Sequence, residues 1–267
     1  MLIIGERING MFKKMKAAIG EQDKGPIQEM ARKEIEAGAG MLDVNVGTAA
    51  RDKAGAMQWL IETIQEVTDT PLAIDSSNPG VVEAGLKVCS SKAMINSTTA
   101  EDEKLEQLLK LAVDYKADIL GLTLDENGIP SQKDERVMLG AKILAAAMDA
   151  GLDATQVHLD PVVLPVKFAQ EGNQTVVMLD TIRDLKLLND PPPKTAVGLS
   201  NISNGCTKQM RSLVNRTYLT MCLTCGLDEA IIDPFDNDLV EAMITTELLL
   251  CKAIFADDFI KAYKASQ

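Results

Sequence analysis

Eight short apolar runs recur along the 267-residue sequence, and a longer amphipathic stretch follows each of them. Pro26 opens one such stretch, which closes at Gly38, and apolar residues recur at helical spacing over residues 101–112. Strands that alternate with helices along a whole chain predict a parallel sheet, and eight such units predict a closed (β/α)8 barrel, the TIM barrel. The predicted strands are residues 2–5, 41–46, 72–75, 93–96, 119–124, 157–160, 195–199 and 230–233.

The barrel is expected to form one domain over residues 1–267. A barrel of this kind takes about 250 residues, and 46% of this sequence is hydrophobic, which suffices for a large core. No Gly- or Ser-rich linker divides the sequence. The prolines at 191–193 are typical of a rigid stop before the seventh strand.

The charge balance disfavours nucleic acid as a partner. The sequence holds 27 Lys and Arg against 39 Asp and Glu, a net charge of −12, whereas proteins that read a nucleic-acid backbone are basic. No apolar run approaches the roughly 20 residues that cross a bilayer, so no membrane association is expected. The apolar run at 1–5 is followed at once by Glu6 and Arg7, which is not typical of a targeting segment. We therefore expect a cytoplasmic protein.

The five cysteines do not form a metal-binding pattern. Cys222 and Cys225 make a single CxxC, but a structural zinc site takes four ligands, and the sequence has one histidine and no second CxxC. The helical spacing and apolar neighbours of these two cysteines favour burial in a core. No tightly bound metal is assigned to the chain, and the thiols are expected to be reduced.

Functional groups in this fold lie at the carboxyl ends of the strands, and here those ends are unusually polar. Asp, Asn and Ser also cap helices, so for Ser76, Ser77, Ser97 and Asp233 capping is at least as good an interpretation as a site role. The polar residues at the strand ends are Glu6, Arg7, Asn9, Asp43, Asn45, Asp75, Ser76, Ser77, Asn96, Ser97, Thr123, Asp160, Ser200, Asn201 and Asp233.

Four of these residues, Asp75, Asn96, Asp160 and Asn201, are expected to point into the barrel mouth, because each ends an apolar run. Such a pocket has acceptors and amides but almost no cations, which favours a neutral ligand rich in N–H donors. A pterin ring fits this description. Its 2-amino and N3–H groups form a donor pair for one carboxylate, Asp160 or Asp75, and its remaining ring atoms suit Asn amides.

Six sequence blocks carry a resemblance to a known family. The chain resembles the pterin-binding methyltransferases, which include the folate-binding module of cobalamin-dependent methionine synthase. Over essentially its whole length it is similar to the methyltetrahydrofolate:corrinoid/iron-sulfur protein methyltransferases of the acetyl-CoA pathway of carbon fixation. The blocks are IGERIN at 4–9, LDVNVG at 42–47, AIDSSN at 73–78, MINST at 94–98, HLDP at 158–161 and GLSNIS at 198–203.

The resemblance implies a homodimeric barrel that transfers the N5-methyl group of methyltetrahydrofolate to the Co(I) centre of a corrinoid. It implies that Asp75, Asn96 and Asp160 hold the pterin and that Asn201 reaches N5. The substrate-binding residues that it implies are Asp75, Asn96, Asp160, Gly198, Ser200, Asn201 and Arg211.

The reaction asks for positive charge to be stabilised at N5, because a methyl group leaves a tertiary amine badly unless the nitrogen gains a proton or a strong hydrogen bond. We hypothesise that Asn201 hydrogen-bonds N5 and that the proton arrives through a network of Asp75, Asn96 and water. These three are the predicted catalytic residues. His158 lies two residues before Asp160 and is more typical of a structural residue.

The corrinoid is expected to arrive on a partner, a corrinoid/iron-sulfur protein that docks over the barrel mouth. The DxHxxG signature of a corrinoid ligand is absent, since the only histidine, His158, lies in the sequence VHLD. The candidates for contact with the anionic tail of a folate are Arg7, Lys208, Arg211 and Arg216.

Three alternatives are considered. Dihydropteroate synthase shares the barrel and the pterin site but binds a pyrophosphate leaving group, which asks for basic and Ser/Thr-rich contacts near strands two and seven. Here those stretches read VNVGTAA and GLSNIS, without Lys or Arg. A folate-binding or docking module without turnover of its own is the second alternative. A third interpretation, a generic barrel enzyme with a phosphate site at the last two strands, is disfavoured, because the region around Gly226 and Asp233 lacks the expected Gly-rich loop.

Overall fold

The computed structural model describes residues 1–169 and 173–252, which form a closed barrel of eight parallel strands paired in chain order. The predicted (β/α)8 fold is therefore confirmed. Of the predicted single domain, residues 170–172 and 253–267 lie outside the described part of the chain. The strands are β1 (Leu2–Asn9), β2 (Met41–Asn45), β3 (Leu72–Asp75), β4 (Ala93–Thr98), β5 (Asp118–Leu122), β6 (Val157–Asp160), β7 (Lys194–Gly198) and β8 (Glu229–Ile232).

Helices surround the barrel and connect its strands. The helical stretches predicted near 26–38 and 101–112 correspond to α2 and α5, and a 3-10 turn (Leu199–Ser203) follows β7 directly. The helices are α1 (Lys13–Glu21), α2 (Lys24–Glu36), α3 (Lys53–Gln65), α4 (Pro79–Val88), α5 (Asp102–Tyr115), α6 (Lys133–Ala150), α7 (Val166–Ala169), α8 (Gln174–Leu185), α9 (Lys208–Thr224) and α10 (Asn237–Leu249).

Side chains of each strand alternate between the helices outside and the interior of the barrel, because successive residues of a strand point to opposite faces. In β3, Leu72 and Ile74 belong to the large core shared with the helices, whereas Ala73 belongs to a separate cluster inside the barrel. That inner cluster consists of Ile4, Met41, Ala73, Met94, Leu120 and Ala196. The residues two positions further along each strand are Glu6, Asp43, Asp75, Asn96, Leu122 and Gly198. These residues therefore face the same interior, one step closer to its carboxyl end.

Strand β1 is longer than the predicted run of residues 2–5. It continues to Asn9, and its pairing with β2 shifts register between Gly5 and Ile8. The shift breaks the alternation that the sequence pattern would reveal. Gly5 is needed here, because a Cβ at this position would lie 2.4 Å from Oε1 of the buried Glu34 on α2.

Ser76 and Asp233, for which capping was the alternative to a site role, stabilise turns and do not cap a helix. The N-cap of α4 is Asn78, whose side chain accepts a hydrogen bond from Gly80 N, and Ser76 instead accepts from Asn78 N in the preceding turn. The N-cap of α10 is Asp236, which accepts from Leu239 N, so Asp233 does not fill that role.

A layer of charged residues closes the amino end of the barrel. His158 of β6 is fully buried, with Nδ1 2.6 Å from Oε2 of Glu229 and Nε2 3.3 Å from Oδ2 of Asp118. Lys92 and Lys194 pair with the same two carboxylates from outside. Asp118 and Glu229 are the first residues of their strands, so this layer lies at the end opposite the polar strand ends. We interpret His158 as a structural residue.

Among the residues that the structure describes, no helix is long and apolar enough to cross a membrane. Cys222 and Cys225 are buried and form no disulfide.

Candidate active site

A cavity of about 740 Å³ opens at the carboxyl ends of the strands. All seven residues predicted to bind the substrate line it, so the fold brings together side chains that lie up to 136 positions apart, from Asp75 to Arg211. Their lining of one cavity is a structural finding, whereas their individual roles stay predictions. The seven are Asp75, Asn96, Asp160, Gly198, Ser200, Asn201 and Arg211.

Asp43, Asp75 and Asn96 line one side of the cavity, and Asn45 contacts one of them. Asn96 Nδ2 donates to Asp43 Oδ1 over 2.8 Å, and Asn45 Nδ2 donates to Asp75 Oδ2 over 2.5 Å. Burial raises the pKa of Asp43 well above its usual range, and the neighbouring Asp75 raises it further. Burial also raises the pKa of Asp75, against the hydrogen bond from Asn45. The two acids share a crowded, cation-poor site.

Asp160 is oriented from two directions at the end of β6. Its Oδ1 accepts from Val162 N over 2.7 Å and its Oδ2 from Gly198 N over 3.3 Å. Burial raises its pKa to about 6, while these two backbone N–H groups lower it. The carboxylate is therefore ionised at neutral pH. Each oxygen keeps a lone pair free, so Asp160 can accept a pair of N–H donors from a planar ring.

A buried arginine holds the loop that follows Asp160. The Arg136 guanidinium on α6 is fully buried and donates to Pro161 O over 2.8 Å and to Gln174 Oε1 over 2.5 Å. Val162 in this loop adopts a left-handed φ of 65°, which is strained for a β-branched residue. Sequence reasoning missed Arg136, because a charged residue within a helix carries no signal of burial.

The 3-10 turn after β7 presents Ser200 and Asn201 to the cavity. Ser200 Oγ donates to Glu6 Oε1 over 2.8 Å. The Asn201 side chain is exposed, and its Oδ1 accepts from Asn204 Nδ2 over 3.3 Å, which leaves its own amide N–H groups available. A Cβ at Gly198 would lie 3.1 Å from Asn201 Nδ2, so the glycine leaves room for that amide.

Glu6 and Asp43 line the cavity but were not among the predicted site residues. Glu6 is largely buried, and burial raises its pKa to about 7. Asp233 raises the pKa of Glu6 further, whereas the hydrogen bond from Ser200 and the charge of Arg7 lower it. Their positions in the sequence could have identified both residues, because Glu6 follows the inward-facing Ile4 by two positions and Asp43 follows the inward-facing Met41 by two.

Three of the four cations predicted as candidates for an anionic tail line the cavity. Arg7, Lys208 and Arg211 all line it. Arg7 Nη1 lies 3.1 Å from Asp233 Oδ2, and its guanidinium lies 4.3 Å from the centre of the Phe12 ring. The side chains of Lys208 and Arg211, in the first turn of α9, have no hydrogen bond or ion pair with the described residues. The strand ends were expected to hold almost no cations, and two of these three residues, Lys208 and Arg211, come from α9 and not from a strand end.

Arg216 does not belong to this group. It pairs with Asp238 of α10 and does not line the cavity, so it is not a candidate for the ligand's tail. Over residues 1–169 and 173–252, no group of three or more His, Cys, Asp and Glu side chains is arranged to hold a metal ion.

Comparison with known proteins decides the family. The family described as "Pterin binding enzyme" matches residues 13–233. The chain belongs to this family. This pterin binding enzyme is 31% identical to the methylcorrinoid:tetrahydrofolate methyltransferase of Eubacterium limosum, over 99% of this chain and 96% of that protein. The resemblance carried by the six sequence blocks is thereby confirmed, and the chain is a methyltransferase of this family.

More distant relatives share parts of this picture. The methionine synthase of Mycobacterium leprae is 28% identical over 87% of this chain, which corresponds to 20% of that much longer protein. Among solved structures, the dihydropteroate synthase of Thermus thermophilus superimposes with a TM-score of 0.67 over 93% of this chain and 94% of its own, at 17% identity. At that identity the likeness extends to the fold alone.

Proposed function

We propose that this methyltransferase moves the N5-methyl group of methyltetrahydrofolate to the Co(I) centre of a corrinoid carried by a partner protein. The observation that carries the proposal is the position of Asp160, held by two backbone N–H groups in a cavity that Asp75, Asn96 and Asn201 also line. This constellation suits a pterin ring, and the relative from Eubacterium limosum is named for a tetrahydrofolate and a methylcorrinoid.

In this proposal the pterin is bound by complementary hydrogen bonds. Asp160 accepts from the 2-amino and N3–H groups of the ring, which are neighbouring donors in one plane. Asp75 and Asn96 contact the remaining ring atoms. Lys208 and Arg211 lie at the mouth without ion partners among the described residues, and we assign them to the anionic tail of the folate.

Methyl transfer then proceeds by direct displacement. The Co(I) nucleophile attacks the methyl carbon from the side opposite N5, a carbon–cobalt bond forms, and the C–N5 bond breaks with its electron pair left on N5. The amide of Asn201 donates to N5 and strengthens this bond as the methyl group departs. Its free N–H groups, beside Gly198, support this role.

The direction of transfer depends on the supply of substrates. The relative is named with the methylcorrinoid first and tetrahydrofolate second, whereas the direction proposed here begins at the folate. One displacement step serves both directions with the same residues, because an enzyme accelerates a reaction and its reverse equally.

The corrinoid is proposed to be carried by a corrinoid/iron-sulfur protein of the acetyl-CoA pathway, with this enzyme acting as a cytoplasmic homodimer. The sequence has no DxHxxG signature of its own. The open mouth of the cavity supports docking of a second protein over it, because the nucleophile must come within bonding distance of a methyl group held there.

Dihydropteroate synthesis is the second candidate, and Lys208 and Arg211 favour it, since a pyrophosphate leaving group needs cations. Against it, the stretches VNVGTAA at 44–50 and GLSNIS at 198–203 contain no Lys or Arg. A binding module without turnover is the third reading. Assays on the purified protein test both alternatives.

The test is anaerobic. The protein is mixed with methyltetrahydrofolate and free cob(I)alamin, and the loss of Co(I) absorbance is followed, with unmethylated tetrahydrofolate as the matched control. Appearance of methylcobalamin supports the transferase. Folate binding by calorimetry without turnover, even with a reduced corrinoid protein, would support the binding module. Absence of folate binding would overturn the pterin assignment, and condensation of a pterin pyrophosphate with 4-aminobenzoate would favour the second candidate.

A further inference from the structure

The methyl transfer needs a proton that the predicted catalytic residues do not obviously supply. When the C–N5 bond breaks, the electron pair stays on N5, and the tetrahydrofolate product carries a proton there. Asn201 has an amide and is not an acid. The proton must therefore come from an acid that reaches the cavity, or from water.

Most carboxylates of the cavity are held by N–H donors, which favour the ionised form. Asp43 and Asp75 each accept from an amide, and Asp160 accepts from two backbone N–H groups. Asp233 pairs with Arg7, and Asp236 accepts from a backbone N–H of its helix. Each of these five therefore has a partner that favours its ionised form, although burial raises the pKa of Asp43, Asp75 and Asp160 against that partner.

Glu6 is the exception among the carboxylates that the described residues place in the cavity. Its hydrogen-bond partner there is the hydroxyl of Ser200, at 2.8 Å. A hydroxyl can donate to a carboxylate and accept from a carboxylic acid, so it can remain the partner of Glu6 in both protonation states. Ser200 is also the neighbour of Asn201, the residue assigned to N5, and both belong to one 3-10 turn.

We propose that Glu6 is the proton reservoir for N5 and that the Ser200 hydroxyl passes the proton between them. This inference rests on the proposed function. In the direction toward cobalt, Glu6 gives its proton to Ser200 Oγ, and the hydroxyl proton of Ser200 moves to N5, directly or through one water. Glu6 is left as a carboxylate and is reprotonated from solvent. In the reverse direction Glu6 accepts the N5 proton as a base.

The surroundings of Glu6 suit both directions near neutral pH. Burial and the charge of Asp233 raise its pKa to about 7, against the hydrogen bond from Ser200 and the charge of Arg7. Glu34 on α2 and Asp43 on β2 also face it, and both are themselves raised in pKa by burial. Lys208 and Arg211 line the same cavity from α9. An acid whose pKa lies near the working pH exchanges protons most effectively.

The first variant is Glu6→Gln, measured in single turnovers of methyltetrahydrofolate with cob(I)alamin. We expect about a 100-fold loss of rate, with calorimetric folate affinity within about threefold of the parent protein. The parent rate should fall as pH rises through the pKa of Glu6, because the carboxyl group loses its proton. The variant should lack this fall.

Glu34→Gln is the matched control. Glu34 is buried behind β1, does not line the cavity, and a glutamine there keeps an oxygen to accept from Arg7 N. Its rate and pH profile should stay within about twofold of the parent. A Glu6→Gln variant that keeps the parent rate within about threefold, or that slows but keeps the parent pH profile, would overturn the proposal.

Ser200→Ala and Ser200→Thr test the relay with the carboxyl group in place. Alanine should slow turnover about tenfold. It should also shift the fall in rate to higher pH, because the Ser200 hydrogen bond lowers the pKa of Glu6 and alanine removes it. Threonine keeps a hydroxyl and should restore most of the rate. Equal rates for alanine and threonine would overturn the relay. A parent protein that binds no folate and transfers no methyl group would instead overturn the proposed function.

Discussion

Both ends of the barrel bury carboxylates, but the carboxylates have charged partners at the amino end and uncharged partners at the carboxyl end. At the amino end, Asp118 and Glu229 bond the His158 ring and also meet lysines. Burial alone would raise the pKa of Asp118, but the hydrogen bonds from His158 and Lys92 hold it below its usual range. Asp118 and Glu229 in turn raise the pKa of His158 against its own burial. Charge at this end is matched by charge.

At the carboxyl end, the buried acids meet amides, backbone N–H groups or a hydroxyl. The pKa of Asp43, Asp75, Asp160 and Glu6 is raised in every case, with burial as the main cause. The difference between the ends lies in the partners, since both ends are buried. In barrels of this type the amino end serves stability and the carboxyl end serves the reaction, and here the choice of partners follows that division.

The largest expected effect is on stability, at the amino end. His158→Gln leaves two buried carboxylates without the imidazolium between them, and breaking a buried ion pair costs about 3–5 kcal/mol. In the folded protein the pKa of His158 is raised above its value in the unfolded chain, which is about 6.5. Its contribution is therefore complete below that pH and is lost as pH rises through the folded pKa.

Urea unfolding at pH 6 and pH 9 measures this change. The free-energy difference between parent and His158→Gln should be larger at pH 6. Lys92→Ala, at a side chain that is 56% exposed, is the control and should cost less than about 1 kcal/mol. A difference that grows with pH would contradict the assignment of charge to His158.

The next effect is on turnover, at the carboxyl end. Asn201→Ala removes the proposed hydrogen bond to N5, and loss of one such donor lowers the rate by about 10²–10³-fold. Folate affinity should stay within about threefold, because the bond strengthens only as the methyl group leaves. Single-turnover kinetics and calorimetry separate the two quantities. Asn127→Ala, at an exposed loop residue after β5, is the control, and near-normal turnover in Asn201→Ala would exclude the role.

A smaller effect is expected on binding. Asp160→Asn replaces an ionised acceptor by a group with its own donor, and the loss of charged hydrogen bonds worth about 1.5–3 kcal/mol weakens folate binding about 10- to 100-fold. In the parent protein, affinity should also fall below about pH 6, where Asp160 gains a proton. Calorimetry across pH 5–8 should show this fall only with Asp160 present. The exposed Asp149→Asn is the control, and a parent affinity that is independent of pH would count against Asp160.

The smallest effect is also on stability, but here the substitution should stabilise the protein, whereas His158→Gln should destabilise it. Asp43 is buried with a raised pKa, so its contribution to stability is lost as pH rises above the unfolded value. Asp43→Asn keeps an oxygen for the amide of Asn96 and should stabilise the protein by about 1 kcal/mol at pH 8, which is about 2–4 °C in Tm. Thermal unfolding at pH 8 and pH 4 measures it. A loss of stability at pH 8 would show that the two ends do not differ as described.

Much of the fold followed from local pattern. The eight strands lie within a few residues of the predicted runs, except that β1 reaches Asn9 instead of Gly5. The seven predicted substrate residues line one cavity because each lies at or just after the end of a strand, or, for Arg211, near the start of the helix after β7. A repeat of strand and helix is visible in the sequence, since the alternation of apolar residues depends only on near neighbours.

Tertiary structure decided which polar group meets which. Glu6 and Ser200 are 194 positions apart, and His158 and Glu229 are 71 apart, so only closure of the barrel brings them into contact. The local pattern places Asp118 at the start of a strand and Asp160 at the end of one, but it does not show that the pKa of Asp118 is lowered and that of Asp160 raised. The sequence by itself determined where the strands and their inward polar ends fall. The partners of those ends, and hence their charge, depend on burial and on contacts that exist only after the eight strands have closed.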